Sequence, residues 1–464
     1  MAAPRGSRTS SPGRAASTAR AASSSPSVPA PPPPEPVPEP AAGETGRLLV
    51  LLDPDRTDAA RRSMTRSAGL RLSAAPTGDG AELGAALASG DSLLFEHLDV
   101  AVVDAAGEQM AALELLLRDD AGILAVEPER YVYAIDETGL AGYVEGFRDG
   151  VAELAERVLG MAQPDADGPD ARAGAQAFTD TDTTWGLKAT GVTSTTYTGK
   201  GVRVAVLDTG FDNGHPDFAG RIVTRASFIN GETPDDGHGH GTHCIGTSCG
   251  SRSPGRLPRY GIASEAEIYA GKVLSNQGRG SDSGILAGIN WAIANQCSVI
   301  SMSLGAPTTL GQPYSKIFEQ VALRALAAGA LIVAAAGNDS ARPGAVRPVG
   351  HPANCPSIVA VGAVDSSLKI AGFSNGGLTR SGGQIDLAAP GVAVVSALPR
   401  PRLYASWSGT SMATPHVAGI AALHAEANPG TRGGALGWLL LQSAQRMTLA
   451  NRDVGGGLVQ APLP

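Results

Sequence analysis

The run "VRVAVLDTG" (Val202–Gly210) holds five apolar residues around one arginine and ends on an aspartate and a glycine. It has three counterparts: "VISMSL" (Val299–Leu304), "LIVAAAG" (Leu331–Gly337) and "IVAVGAV" (Ile358–Val364). Short, nearly continuous apolar runs alternating with helical patterns mark parallel strands buried on both faces. They predict, from Thr184 onward, a doubly wound, mostly parallel α/β sheet with helices on both sides. Ligands of such sheets bind outside the carboxyl ends of the strands. Asp208 stands at that edge, although an isolated "DTG" reads more readily as a turn before Gly210.

The 464 residues leave room for one large or two to three ordinary domains, and 42% hydrophobic with 17% charged content is globular. A net charge of -8 and a pI near 5.5 exclude nucleic acid or an anionic membrane as principal partner. No apolar run reaches membrane-span length. The four cysteines, Cys244, Cys249, Cys297 and Cys355, are too few for a disulfide scaffold and leave their pairing open. The N-terminus has no apolar core of a secretory signal.

Residues 1–46 form a Pro-, Ala- and Ser-rich tail with too little apolar surface to fold. A small α+β unit follows over 47–135: "RLLVLL" (Arg47–Leu52) as a strand, a helix from Thr57, and a short strand near Leu70. A strand "LDVAVVDA" (Leu98–Ala105), a helix "EQMAALELLLRD" (Glu108–Asp119) and a strand "ILAVEPERYVYAI" (Ile123–Ile135) complete a β-α-β-β-α-β, ferredoxin-like order. Residues 136–183 hold an amphipathic helix over Ala141–Ala162 and a flexible linker, with the maturation site expected between Ile135 and Thr184. The large α/β domain occupies 184–464.

Two further stretches carry chemistry. "DGHGHGTHCIGTSCG" (Asp236–Gly250) offers His238, His240 and His243 at the start of a helix. His240, His243 and Cys244 suit zinc; alternatively, one histidine is a general base oriented by a carboxylate and aimed at a hydroxyl. "SGTSMATPHVAG" (Ser408–Gly419) allows Ser411 to be a nucleophile at a helix mouth, or a small residue in a tight turn.

"VAVLDTGFDNGHPDF", "GHGTHCIGT" and "GTSMATPHVAG", in that order, resemble the three signature blocks of the subtilisin-like serine proteases, with "DGHGHGTHC" leaning towards the proteinase K type. The resemblance runs from about Trp185 to Pro462. It implies a serine endopeptidase with a triad of Asp208, His240 and Ser411 and an oxyanion donor in Asn338, and it makes His243 structural. It places Pro415 in the first turn of the serine's helix. It implies substrate edges at Gly278, Arg279 and Gly280 and at Ser303, Leu304 and Gly305. It further implies a pocket before the cut walled by Ala335 and Gly337 with an uncharged floor near Gly350, which would favour Phe, Leu or Tyr over Lys or Arg.

The resemblance implies no cofactor for catalysis but a structural calcium ion, held by Asp386 with the carbonyls of Pro356 and Ile358. A second family site would use Asp217, yet the loop that should complete it, "SRSPGRLPRYG" (Ser251–Gly261), is basic. Residues 47–135 resemble the inhibitor-like propeptide of the same proteases, which implies a self-processing precursor whose last strand enters the groove. The expected partners are protein or peptide substrates and the chain's own propeptide, with the enzyme acting as a monomer. Secretion is expected from the family, in tension with the absent signal. A catalytically silent peptide-binding scaffold and a zinc-dependent hydrolase are the rival functions.

Overall fold

In the N-terminal unit, β1 (Glu44–Leu52) is followed by α1 (Thr57–Ala68), β2 (Ser73–Ala74), α2 (Gly80–Ala88), β3 (Leu93–Phe95), β4 (Val100–Val103), α3 (Glu108–Arg118) and β5 (Ile123–Ala134). The computed structural model describes residues 43–76, 80–105, 107–135, 177–379 and 381–463. The tail, the helix expected over Ala141–Ala162 and the linker after it lie outside the described residues. Strand order β5-β1-β4-β3-β2 is the ferredoxin-like one. Its second main strand is Leu93–Phe95, however, and the two-residue β2 near Leu70 only extends the edge. Helix α2, absent from the sequence reading, fills the extra connection.

β1 has apolar residues in succession because both its faces are covered. Leu48, Val50 and Leu52 pack with Met64 of α1 and Leu113 of α3, whereas Leu49 and Leu51 point into the core shared with the large domain. A strand's side chains alternate faces, so a run buried on both sides loses its polar alternation.

The large domain opens with α4 (Trp185–Ala189), β6 (Arg203–Asp208), β7 (Val223–Ser227), α5 (His240–Cys249), β8 (Glu267–Lys272), β9 (Arg279–Ser281), α6 (Asp282–Ala294), β10 (Val299–Met302) and β11 (Leu304–Gly305). There follow α7 (Lys316–Ala327), β12 (Leu331–Ala335), β13 (Val359–Val364), β14 (Leu387–Pro390), β15 (Val394–Ala397), β16 (Tyr404–Trp407), α8 (Thr410–Ala427), α9 (Gly433–Ser443) and α10 (Asn451–Val454). Seven strands run parallel in the order β14-β13-β12-β10-β6-β8-β7.

The predicted doubly wound sheet is therefore present, and its two faces have separate cores. Val204, Val206, Val333 and Val361 pack against α5 and α8; Ala205, Leu207, Ile300 and Ile332 pack against α6 and α7. The chain leaves β6 for β8 and β7 on one side and returns through β10 to β14 on the other. That reversal beside β6 is the switch point at which such sheets form a cleft. Among the described residues no helix is long and apolar enough to cross a membrane, and all four cysteines are buried and unpaired.

Candidate active site

Asp208 ends β6, His240 begins α5 and Ser411 is the second residue of α8. The sheet order brings these three segments together at one cleft. Asp208 Oδ1 lies 2.7 Å from Nδ1 of His240, and the same oxygen accepts the Thr209 N–H at 2.7 Å. Burial of His240 disfavours its charged form, yet the adjacent Asp208 outweighs this and holds the imidazole well above the usual histidine range. A carboxylate at Nδ1 leaves Nε2, itself buried, as the ring nitrogen available to a second partner.

His240 Nε2 has no hydrogen-bond partner among the described residues. The Ser411 hydroxyl instead donates to the carbonyl of Ile135 and lies 3.2 Å from that of Ser303. The Ile135 carbonyl also accepts from Asn338 Nδ2 at 3.3 Å. Asn338 is fixed in that orientation because its Oδ1 accepts both the N–H and the hydroxyl of Thr410, each at 2.9 Å. Gly409 permits the approach: a Cβ there would come within 2.9 Å of Asn338 Nδ2 and 3.3 Å of the Ile135 oxygen.

Strand β5 reaches this point between the two expected substrate edges. Tyr131, Val132 and Tyr133 pair with Ser281, Gly280 and Arg279 of β9. On the other side Tyr133 and Ala134 pair with Gly305 and Leu304 of β11. The Ala134 N–H donates to the Gly278 carbonyl at 2.9 Å and the Ile135 N–H to that of Ser303 at 3.3 Å. The Ile135 side chain enters beside Gly305, where an added Cβ would stand 3.2 Å from its Cδ1. Ala335 and Gly337 stand two apart at the end of β12, and the Gly350 N–H bonds the intervening Ala336 carbonyl at 2.9 Å. None of these pocket residues is charged.

The zinc trio does not assemble. His243 turns away, its Nε2 3.1 Å from the Val394 carbonyl and its ring stacked on Trp407 at 4.9 Å. Burial holds its pKa down at about 3. Cys244 does approach His240 Nδ1, at 3.9 Å, and Asp208, His240 and Cys244 cluster closely. The direct bond between Nδ1 and Asp208 fills the space an ion there would need.

Pro415 is the sixth residue of α8, hence in its second turn rather than its first. Lacking an N–H, it leaves the Ser411 carbonyl without a helical donor. The Ser303 hydroxyl supplies one at 2.9 Å and the Cys244 thiol approaches at 3.5 Å. These two side chains pin the turn that carries Ser411.

Residues 199–457 match the Subtilase family of peptidase S8 proteins. The chain belongs to the subtilase family. The segment is 45% identical over 246 residues to subtilisin E of Bacillus subtilis (strain 168), covering 52% of this chain and 60% of that protein. It is 44% identical over 246 residues to a subtilisin of Bacillus pumilus, covering 52% of this chain and 83% of that one. It is 45% identical over 235 residues to alkaline elastase YaB of Bacillus sp. (strain YaB), covering 50% and 56%. The match thus spans less than two thirds of subtilisin E.

Three groups in this subtilase escaped the sequence reading. Glu127 and Glu129 of β5 act as remote caps: Glu127 accepts from Lys316 N–H at 2.7 Å and Ser315 Oγ at 2.6 Å at the start of α7. Glu129, fully buried, accepts from Ser283 N–H at 3.0 Å at the start of α6 and pairs with Arg47 at 2.7 Å. Both complement a helix N-terminus. Thr410, which orients Asn338, is the third. The charges alternating along "EPER" were the available signal for the first two.

Asp217 does not fit the role of calcium ligand. Its carboxylate already accepts from Tyr260 Oη at 2.6 Å, Gly255 N–H at 3.1 Å and Tyr404 Oη at 3.2 Å. Asp386 is different: among the described residues its Oδ2 accepts the Ala360 N–H alone, at 2.8 Å. Burial pushes its carboxyl up to about 6. An acidic oxygen held away from water, beside a strand that begins just after Ile358, suits a hard cation.

Proposed function

We propose that this subtilase is the self-processing precursor of a serine endopeptidase of the proteinase K-like type, in which residues 47–135 are an inhibitory propeptide and the bond after Ile135 is the first substrate. One observation carries the reading: the Ile135 carbonyl receives hydrogen bonds from both Ser411 Oγ and Asn338 Nδ2. The Ile135 carbonyl is thus held beside the Ser411 hydroxyl between two paired strand edges, and attack on its carbon requires the hydroxyl to turn its proton from that oxygen to Nε2 of His240. The thiol of Cys244 beneath His240 favours the proteinase K-like assignment.

In the reaction, Ser411 Oγ bonds to the Ile135 carbonyl carbon while its proton passes to Nε2 of His240. Asp208 stabilises the resulting imidazolium through Nδ1. The developing oxyanion takes the Asn338 amide and the backbone N–H of Ser411, in the first turn of α8. His240 then returns the proton to the departing amine of Asp136 as the Ile135–Asp136 bond breaks. Water resolves the acyl-enzyme, leaving the Ile135 carboxylate. The spent strand stays paired with β9 and β11 and anchored by Glu127 and Glu129, so it occupies the groove as an inhibitor.

Calcium, when bound, would lie at Asp386 with the carbonyls of Pro356 and Ile358 and would neutralise that carboxylate; it plays no part in bond cleavage. The test of the function is Ser411→Ala in the chain expressed from Met1. It should remain folded and uncut, whereas wild type should release a fragment ending at Ile135, detected by intact mass. A first fragment ending elsewhere, or a variant maturing at the wild-type rate, would refute the assignment. Labelling by a fluorophosphonate separates an active enzyme from a silent scaffold.

A further inference from the structure

Outside the catalytic cleft, one fully buried carboxylate owes half of its partners to the N-terminal unit. Asp282, the first residue of α6, has its Oδ1 2.9 Å from Nε2 of His351. Its Oδ2 accepts twice from Arg130: from the backbone N–H at 3.1 Å and from the guanidinium Nη1 at 3.3 Å. The Asp282 side chain is 0% exposed and that of Arg130 22%. Departure of β5 would leave this oxygen with an unfilled acceptor face, and a buried carboxylate without donors is costly.

Register fixes what fills that place next. Arg130 is the sixth residue counted back from the bond after Ile135, on a strand whose residues 131–133 pair with β9. The next residue, Tyr131, is pinned with its ring 3.6 Å below the Arg279 guanidinium, and Val132 is fully buried. A substrate bound as an added strand in the same register therefore delivers its own sixth residue to Asp282. The groups facing Arg130 are Asp282 and, more weakly, Glu127 at 3.4 Å. Glu127 belongs to β5 and leaves with it. Asp282 stays, at a helix N-terminus that favours its charge.

We infer that Asp282 forms a subsite selecting a basic side chain, arginine above all, six residues before the cut. The subtilase would then take extended, not merely local, sequences, and the propeptide strand would double as the template of its preferred substrate. This rests on the reading of Ile135 as the residue before the cut.

The experiment uses the mature enzyme and internally quenched peptides of sequence Arg-Tyr-Val-Tyr-Ala-Ile-Asp-Glu-Thr-Gly, with Arg, Ala or Glu in first place. Wild type should cut after Ile and favour Arg over Ala by about 10-fold in kcat/KM, with Glu poorest, because a charge-assisted pair is directional. The preference should shrink in high salt. In Asp282→Asn the Arg-to-Ala ratio should fall to about 1. Cutting after Ile with equal rates for Arg and Ala in wild type overturns the subsite and leaves the Ile135 reading standing. Cutting elsewhere in every peptide overturns that reading and the subsite with it. The wild-type comparison needs no variant to fold.

Discussion

Nδ2 of Asn338 donates to the carbonyl oxygen of Ile135 across 3.3 Å, and the amide cannot turn over because Thr410 donates twice to its other end. A fixed donor is worth most where charge develops, since nothing must reorganise as the oxyanion forms. Asn338→Ala should therefore lose about 10² to 10³ in kcat with little change in KM, on the order of 3 kcal/mol. Kinetics on a small amide substrate test this, and an unchanged kcat removes Asn338 from the mechanism.

The large sheet was legible because runs such as Val204–Leu207 are apolar on successive residues, as a strand buried on both faces requires. The candidate triad came from the likeness of three whole sequence blocks to one family, since "DTG", a lone histidine or a serine in a glycine-rich turn each has other uses. What escaped was set by segments far apart in the chain. Nothing near Glu129 says that its partner is the N-terminus of a helix 154 residues later. Helix α2 escaped because "GAELGAALA" has weak polar contrast, and β3 because three residues are too short for a period to register. Pro415 was readable but misplaced by one turn; its missing N–H, rather than its tolerance in the helix, is what shapes the site.

Asp386 gives a pH signature. Its folded-state value of about 6 lies above the ordinary 3.8, so the fold holds the neutral form more tightly and ionisation works against it. That penalty is absent below about pH 4, grows between about 4 and 6, and is complete above about 6. In the Ser411→Ala background with chelator, Asp386→Asn should melt a few degrees above its parent at about pH 7 and level with it at about pH 4. Calcium near pH 7 should raise the parent alone. Equal shifts in both proteins would place the ion elsewhere.

Around Asp217, protein donors stand where a cation would otherwise be needed. Tyr260→Phe deletes the 2.6 Å bond from a buried hydroxyl, which should cost about 1–2 kcal/mol. At this domain size that is roughly 2–8 °C in Tm. Measured in the Asp386→Asn, Ser411→Ala background, the loss should be the same with calcium or chelator. If calcium restores the Tyr260→Phe protein, the site retains metal-binding capacity and the substitution argument fails.

Under the proposed self-processing, Ile135 is the chain's own probe of the proposed pocket beside Gly305 and Gly350. Ala335, Gly337 and Gly350, expected to form it, carry no charge, so Ile135→Lys should bury an ammonium without a partner, at a cost of several kcal/mol. Maturation should slow by about 10² or more, while Ile135→Leu and Ile135→Phe should mature at rates close to wild type. Slow maturation could also follow from a misdocked β5. That account is checked by adding trace mature enzyme to each precursor: a misdocked strand leaves its bond open to attack in trans, whereas a pocket that rejects lysine rejects it in trans as well. Rapid self-cleavage of the Ile135→Lys precursor at that same bond would mean that an acidic group reaches the pocket and that the floor is not Gly350.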